Sequence, residues 1–289
     1  MFLEHCRAVT APIWHAYTTH PWIEAMAAGT LTPEQFAFFQ LDDGAHVAEF
    51  NRTLALGIAK APAGHPWAKA AAHVLDDMST TSELEEKRKI LLQLGYDVPA
   101  QPDRWSCSPA REAYVNHLVR VGYEGTLPEI AIALYPCAMF VEVIGNRFRN
   151  IALPGPAAFT TWADMYKRAT RTEMRDQHAA VVEDAARRMD INGQDRLLQL
   201  YTRSLHHQLR VFDAAYDQNG SWPAGRLCYA QQVIDHKAAH HPGTRAATEE
   251  THHGRDSHLH ADGESSSASS GAAGRGSVPA TRYQPRRRP

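Results

Sequence analysis

The sequence predicts an all-α fold, built as a single-domain helical bundle and followed by a tail that does not fold. Apolar residues recur at helical spacing as far as about residue 219, and the alternating patterns typical of strands are scarce. Large aliphatic residues then nearly disappear after Ala239, where Ser, Gly, His and Arg dominate. We therefore divide the chain into a helical domain at 1–225, an unassigned segment at 226–239 and a disordered tail at 240–289.

Composition and charge exclude several classes of function. The 289 residues are 44% hydrophobic, which is enough to bury a sizeable core. A net charge of −2 gives the chain no general attraction to nucleic acid or to an anionic membrane. The first 30 residues carry Glu4 and several histidines where a secretory signal needs a continuous apolar stretch, and no later apolar run reaches membrane-spanning length. We expect a cytoplasmic protein whose partner is a small molecule.

The cysteines show no pattern of a zinc site or a disulfide framework. Cys6, Cys107, Cys137 and Cys228 are widely spaced and form no CxxC pair, so we expect reduced thiols, most of them inert. The tail carries seven arginines against five acidic residues, and we interpret it, with its terminal arginines at 286–288, as a solvated end. Its histidines are given no role in the fold.

Proline and glycine mark the helix boundaries. We predict helices at 4–27, 33–60, 66–95, 109–124, 128–150, 156–170, 172–189 and 193–219. Prolines near a first turn mark four starts, at Pro33, Pro109, Pro128 and Pro156. Glycines mark four stops, at Gly29, Gly95, Gly125 and Gly220. The charged stretch at 83–89 is interpreted as a solvated helix face.

Polar side chains interrupt the apolar faces of three predicted helices. Asp43 falls on the stripe of Phe36 and Phe39, so it points inward and must be paired or hydrogen-bonded. Cys137 lies on the core face of its helix, and Gln208 lies in the middle of an apolar face. These three side chains define one pocket if their helices meet. A core aspartate that ties helices together is an equally good interpretation of Asp43.

Cys137 has both a structural and a catalytic interpretation. A buried cysteine is usually a small hydrophobe, whereas a nucleophile needs a polar or electropositive pocket. Pro136 precedes it inside the helix, where it removes an N–H donor and frees the carbonyl near Ile132. A kink at this point would open space beside the thiol, which favours the catalytic interpretation.

Short elements follow one another in a distinctive order along the chain. They are Trp14, His20-Pro21-Trp22, Gly29, Asp42-Asp43, Glu124-Gly125, Leu134-Tyr135-Pro136-Cys137, Ile144-Gly145, Trp162 with Tyr166, and the stretch 208–216. In this order and spacing they resemble the TenA, or thiaminase II, family over roughly residues 10–220.

The resemblance implies a haem-oxygenase-like helical fold, a homotetramer, and hydrolysis of thiamin or aminomethyl-aminopyrimidine to hydroxymethylpyrimidine without a metal or other cofactor. Carried over by position, Cys137 attacks the pyrimidine ring so that the substituent on the exocyclic methylene leaves. Water then adds and the thiol is expelled. Asp43 hydrogen-bonds the ring nitrogen and the amino group, and Tyr166 shapes the pocket.

Three positions depart from the family pattern. Gln208 aligns with the family's proton-donating glutamate but cannot release a proton, so general-acid catalysis worth about 10²–10⁴-fold would be missing. His46 replaces a usual pocket tyrosine, and Val141 replaces another aromatic residue. If His46 lies at the pocket it supplies the proton, because the unperturbed pKa of histidine lies near neutrality.

Two other functions stay open at this point. A non-catalytic aminopyrimidine-binding or regulatory homologue is consistent with Gln208. A haem-oxygenase-like di-iron oxidase would need carboxylate and histidine ligands from several helices. The candidates by residue type are His46, Glu49, His178, Glu183, His206 and His207. Their spacing is unfavourable, because adjacent histidines project in different directions and they contain no Glu-x-x-His pair.

Overall fold

The computed structural model describes residues 1–77, 79–98, 106–149, 151–166 and 169–240. Within these ranges the regular structure consists of thirteen α-helices, one 3₁₀ turn at Pro223–Gly225 and an isolated bridge between Ser221 and Leu227. The prediction of an all-α fold is confirmed. The predicted tail from residue 241 onward lies outside the described residues.

The helices follow one another along the whole described chain. They are α1 (Phe2–Val9), α2 (Ala11–Thr18), α3 (Pro21–Ala28), α4 (Pro33–Asp42), α5 (Gly44–Lys60), α6 (Pro66–Asp77), α7 (Thr80–Gln93), α8 (Pro109–Glu124), α9 (Leu127–Arg147), α10 (Ala157–Met165), α11 (Ala169–Ala186), α12 (Ile191–Tyr216) and α13 (Tyr229–His240).

Three predicted helices are each divided in the structure. The helix predicted at 4–27 is three helices, and the start of α3 is fixed by Pro21 and by His20, whose ring accepts a hydrogen bond from the Trp22 amide at 3.1 Å. The helix predicted at 33–60 breaks at Asp43, which ends α4 and begins α5. The helix predicted at 66–95 is α6 and α7, and the Ser79 side chain caps α7.

Helix α9 forms the centre of the core. It packs against α5, α8, α11 and α12, and it buries apolar side chains on most of its circumference. By length and composition alone this helix is long and apolar enough to cross a membrane, so the expectation that no run reaches that length is wrong. Because 67% of its apolar window is buried inside the fold, the composition is accounted for by core packing.

The segment left unassigned at 226–239 is mostly helical. It contains α13, which packs against α4. Lys237 fastens α13 to the end of α7, since its Nζ donates to the Leu94 carbonyl at 2.5 Å and lies 3.9 Å from the centre of the Tyr96 ring. This helix therefore contributes to the folded domain.

Helices α5 and α6 meet at a close approach that only glycine permits. A Cβ placed on Gly57 would overlap the ring of Trp67, which is fully buried. The indole N–H of Trp67 then reaches across to His178 on α11 and donates to its Nδ1 at 3.1 Å. The small residue on α5 thus lets the Trp67 ring hold a histidine on a third helix.

Candidate active site

A cavity of about 110 Å³ lies among α2, α4, α5, α6, α7, α8, α9, α11 and α12. A single water molecule needs roughly 10–15 Å³ on the same measure, so the space accepts a small organic molecule. Its wall includes every side chain that the sequence analysis assigned to the site: Asp43, His46, Cys137, Val141, Tyr166 and Gln208. The structure brings all six together, while their individual roles stay predictions.

Cys137 is half-buried and differs in this from the other three cysteines. Cys6, Cys107 and Cys228 are buried free thiols, and burial raises their pKa values to about 12, 12 and 11. Thiols with such pKa values hold their protons at neutral pH, and their inertness stays a prediction. Cys137 is also a free thiol and faces the cavity from α9, which continues through Pro136 without interruption. The predicted kink stays a prediction.

Two buried tyrosines, Tyr17 and Tyr114, share the cavity wall with Cys137. Burial raises the pKa of Tyr17 and of Tyr114 well above the usual tyrosine value, and the negative charge of a nearby Cys137 thiolate raises it further. The Tyr17 hydroxyl donates to Gln208 Oε1 at 2.5 Å. The Tyr114 hydroxyl has no hydrogen-bond partner among the described residues and also lies in the cavity wall.

Gln208 is held in place from two sides. Its Oε1 receives the Tyr17 hydroxyl, and its Nε2 lies 3.5 Å from the Ser204 carbonyl one turn earlier on α12. Tyr17 is itself stacked on Phe140, with ring centres 4.4 Å apart and planes 23° apart. The amide is thus fixed at the base of the cavity, where it exchanges hydrogen bonds but no proton.

Asp43 is the centre of a buried network of charges. Lys87 Nζ lies 2.7 Å from Asp43 Oδ2, and Arg111 Nη1 lies 2.9 Å from Asp43 Oδ1. Burial alone would raise the pKa of this carboxyl, but the charges of Lys87, Arg111 and His46 outweigh it, so the pKa lies well below the usual aspartate value. Asp43 therefore stays ionised at neutral pH.

Two members of this network were not identified from the sequence. Lys87 was interpreted as part of a solvated helix face, but it is only 4% exposed. That interpretation is wrong because α7 turns Leu84, Lys87 and Ile90 toward the core together. Arg111, on α8, was assigned no role and is 3% exposed.

Asp42 supports the same network from the end of α4. Its two oxygens accept hydrogen bonds from the Ser108 amide at 2.7 Å and from the Ser108 hydroxyl at 2.8 Å. It also lies 3.6 Å from Arg111 Nε. The Ser108 hydroxyl caps α8, so Asp42 fixes the helix that carries Arg111.

Aromatic rings form much of the remaining wall. His46 stacks on Tyr114 with ring centres 5.1 Å apart and planes 15° apart. Tyr166 contacts Trp162 edge to face at 4.7 Å. The predicted pocket histidine therefore lies against an aromatic ring in the same wall as Cys137, and it is close enough to Asp43 to stabilise its negative charge.

His178 also lies in the cavity wall. From the sequence it was a candidate only as a ligand of a di-iron site. It is fully buried, and burial lowers its pKa to about 3. Because Nδ1 accepts the Trp67 N–H, the proton of the neutral ring belongs on Nε2. Nε2 has no hydrogen-bond partner among the described residues.

Comparison with known proteins shows the family of the chain that forms this cavity. The profile of the TENA/THI-4/PQQC family matches residues 7–218. The chain belongs to this family. It is 21% identical over 242 residues to the aminopyrimidine aminohydrolase of Bacillus subtilis, covering 84% of this chain and 99% of that protein. It is 23% identical over 221 residues to the aminopyrimidine aminohydrolase of Halalkalibacterium halodurans, covering 72% and 92% of the two chains.

The fold is shared with solved members of the TENA/THI-4/PQQC family. A TenA homologue from Pyrococcus furiosus superposes with a TM-score of 0.64 at 22% identity, over 75% of this chain and all of the other. The family resemblance that the sequence suggested is thus confirmed. At this identity the superposition shows the common fold. The chemistry has to be argued from the residues of this cavity.

The candidate di-iron ligands do not assemble in this member of the family. Glu183 accepts hydrogen bonds from the amides of Phe2 and Leu3 at 3.0 and 2.9 Å, where it caps α1. His178 is held by Trp67. Across the part of the chain that the structure describes, no three His, Cys, Asp or Glu side chains are grouped to hold a metal ion.

Proposed function

We propose that this chain is an aminopyrimidine hydrolase of the thiaminase II type that acts in thiamin salvage. The observation that carries the proposal is the convergence of Cys137, Asp43 and Gln208, from three helices, on one cavity. The two bacterial relatives named aminopyrimidine aminohydrolase support it, because their matches extend over nearly all of their own length. The aromatic wall suits a flat heterocycle.

In the proposed reaction Cys137 acts as the nucleophile. Its thiolate adds to a carbon of the pyrimidine ring and pushes electrons toward the exocyclic methylene, from which the amine leaves with a proton as ammonia. Water then adds to the methylene and loses a proton, and the thiolate leaves the ring to restore aromaticity. The net change is aminomethyl-aminopyrimidine plus water to hydroxymethylpyrimidine plus ammonia.

The leaving amine needs a proton that Gln208 cannot give. We propose that His46 supplies it, because His46 lies in the cavity wall and imidazole exchanges protons near neutral pH. Replacing His46 by Ala is expected to lower kcat by about 10²–10⁴-fold, the usual contribution of general-acid catalysis. A His46→Ala variant with the wild-type rate would refute this role.

A non-catalytic binding protein is the second candidate function, and Gln208 is the observation that favours it. A pocket that keeps Asp43 and its aromatic wall but lacks an acid would still hold an aminopyrimidine. The two candidates differ in turnover, since both predict binding. A Gln208→Glu variant that gains hydrolysis from an inactive wild type would favour the binding protein.

The deciding experiment measures ammonia and hydroxymethylpyrimidine released from aminomethyl-aminopyrimidine and from thiamin. Wild type is compared with Cys137→Ser, and Cys107→Ser is the matched control because Cys107 is a buried thiol outside this cavity. Release that is lost only in Cys137→Ser supports the hydrolase. Binding by thermal shift without release supports the binding protein. If neither compound is bound or hydrolysed, both proposed functions are refuted.

Assembly and location follow the family in our proposal. We propose a cytoplasmic homotetramer, and we propose that the chain after α13, residues 241–289, is a disordered tail. Light scattering of the purified chain tests the assembly, and limited proteolysis tests the tail, since cleavage is expected to stop near α13. A monomer in solution would refute the tetramer.

A further inference from the structure

Arg111 lies in the cavity wall with unused hydrogen-bond donors. Its Nη1 is occupied by Asp43 at 2.9 Å, but Nε and Nη2 have no hydrogen-bond partner among the described residues. The contact from Nε to Asp42 is 3.6 Å, which exceeds hydrogen-bond distance. Because Nε is directed at Asp42, which lies outside the wall of this cavity, Nη2 is the donor that is left for a further acceptor.

The chemistry of an aminopyrimidine edge matches this arrangement. The amino group is a donor, whereas the neighbouring ring nitrogen is an acceptor unless it is protonated. An ionised carboxylate only accepts hydrogen bonds, so Asp43 alone binds the amino group but binds the ring nitrogen only in its protonated form. A guanidinium only donates, so Arg111 is the complementary partner for an unprotonated ring nitrogen.

We propose that Arg111 is a specificity-determining residue that donates to the unprotonated ring nitrogen while Asp43 accepts from the adjacent amino group. The inference rests on the proposed function and names the form of the substrate that the site selects. Asp43 and Arg111 already touch, so they present an acceptor and a donor side by side. Together the two side chains hydrogen-bond the amino group and the unprotonated ring nitrogen of one amino-substituted diazine.

Carboxylates lie close to the cations around Arg111. Asp43 contacts Lys87 and Arg111, Asp42 lies 3.6 Å from Arg111 Nε, and all four side chains are buried. Glu83 adds a further carboxylate to the cavity wall and lies 3.9 Å from Lys87. An anionic group on the ligand would therefore lie close to these carboxylates, which agrees with a neutral ligand edge.

The test is a ratio of affinities measured within each protein. Hydroxymethylpyrimidine is compared with its pyridine analogue, in which the ring nitrogen beside the amino-bearing carbon is replaced by CH. Binding is measured by calorimetry in wild type, Arg111→Met and Arg111→Lys. The Arg111→Lys variant keeps the charge that balances the two aspartates, so it is the variant that folds if Arg111→Met does not. Each variant is its own reference, so a change in stability does not imitate the effect.

We expect wild type to prefer the pyrimidine by about 10–100-fold, the usual strength of a hydrogen bond from a charged donor. The preference should fall to within about 3-fold in Arg111→Met and be reduced in Arg111→Lys. Wild type that binds both compounds equally, or variants that keep the full preference, would overturn this inference and leave the proposed function standing. Failure of wild type to bind either compound would overturn the proposed function itself.

Discussion

The buried network around Asp43 makes a quantitative prediction about Lys87. Lys87→Met replaces the ammonium with an apolar side chain of similar length and leaves Asp43 with Arg111 alone. Removing one partner of a buried ion pair usually costs about 3–5 kcal/mol. Since both side chains are about nine-tenths buried, solvent screens the pair little, and since Arg111 still contacts the carboxylate, we expect the lower end, about 3 kcal/mol.

Urea denaturation at pH 7 measures this loss, with Lys89→Met as the matched control. Lys89 lies two residues away on α7 and is exposed, so its replacement should change the free energy of unfolding by less than about 0.5 kcal/mol. In thermal unfolding the Lys87 variant should melt roughly 6–12 °C below wild type. Equal losses in the two variants would refute the buried network.

The pH dependence provides a second check of the same network. The folded pKa of Asp43 lies below its unfolded value near 3.9, so its contribution to stability is complete above about pH 5 and is lost as the pH falls through the folded pKa. Lys87→Met should raise that folded pKa, and the acid limb of the stability curve should become shallower. An unchanged acid limb would show that Lys87 does not hold the charge of Asp43.

Three further predictions concern the framework of the cavity. Tyr17→Phe leaves the buried Gln208 oxygen without its donor and should cost about 1–3 kcal/mol in urea denaturation; wild-type stability would contradict the 2.5 Å hydrogen bond. Gly57→Ala should cost about 1–3 kcal/mol by overpacking against Trp67, and a neutral result would show that the helices separate easily. His178 keeps a folded pKa of about 3, so only the unfolded chain gains its proton as the pH falls below about 6.5. The free energy of unfolding therefore falls with pH, by at most about 1.4 kcal/mol per pH unit from this residue, and His178→Gln should make that slope shallower. An unchanged slope would contradict the burial of His178.

Most helices could be predicted from periodicity, but several breaks could not. Asp43 divides α4 from α5 with backbone angles of −73° and −13°, which are close to helical. The apolar period therefore continues across the break almost unchanged, and the sequence shows one helix. By contrast, the boundaries of α8 coincide with Ser108-Pro109 and Glu124-Gly125, because cap chemistry is local and visible in the sequence.

The positions of apolar and polar residues on helix faces predicted the residues of the cavity wall. They did not predict the ion pairs between helices that surround Asp43. Lys87 occupies the same stripe as Leu84 and Ile90, and this spacing was a usable signal of burial that the surrounding charges obscured. Arg111 likewise precedes Tyr114 by three residues on a buried face. Both cations contact one aspartate because of how α4, α7 and α8 pack together. The periodicity of each helix alone does not predict that packing.

The structure narrows the source of the catalytic proton. Asp43 is ionised and held by two cations, so it has no proton to give. Burial raises the pKa values of Tyr17 and Tyr114 so far that both hold their protons at neutral pH. Gln208 does not titrate. These four side chains of the cavity wall thus bind or position, and none of them is suited to protonate a leaving amine.

Three other side chains of the cavity wall, His46, His178 and Glu83, belong to residue types that act as general acids. Burial lowers the pKa of His178 to about 3, so its ring is neutral at pH 7 and is not a proton donor of the required strength. Imidazole is the side chain that exchanges protons near neutral pH. Glu83 also lies 3.9 Å from Lys87, a cation already shared with Asp43, while His46 stacks on Tyr114 in the wall that contains Cys137. The arrangement therefore favours the proposal that His46 is the proton donor. If so, the presence of Gln208 in place of the family's glutamate moves the source of the proton from α12 to α5, on the Asp43 side of the cavity.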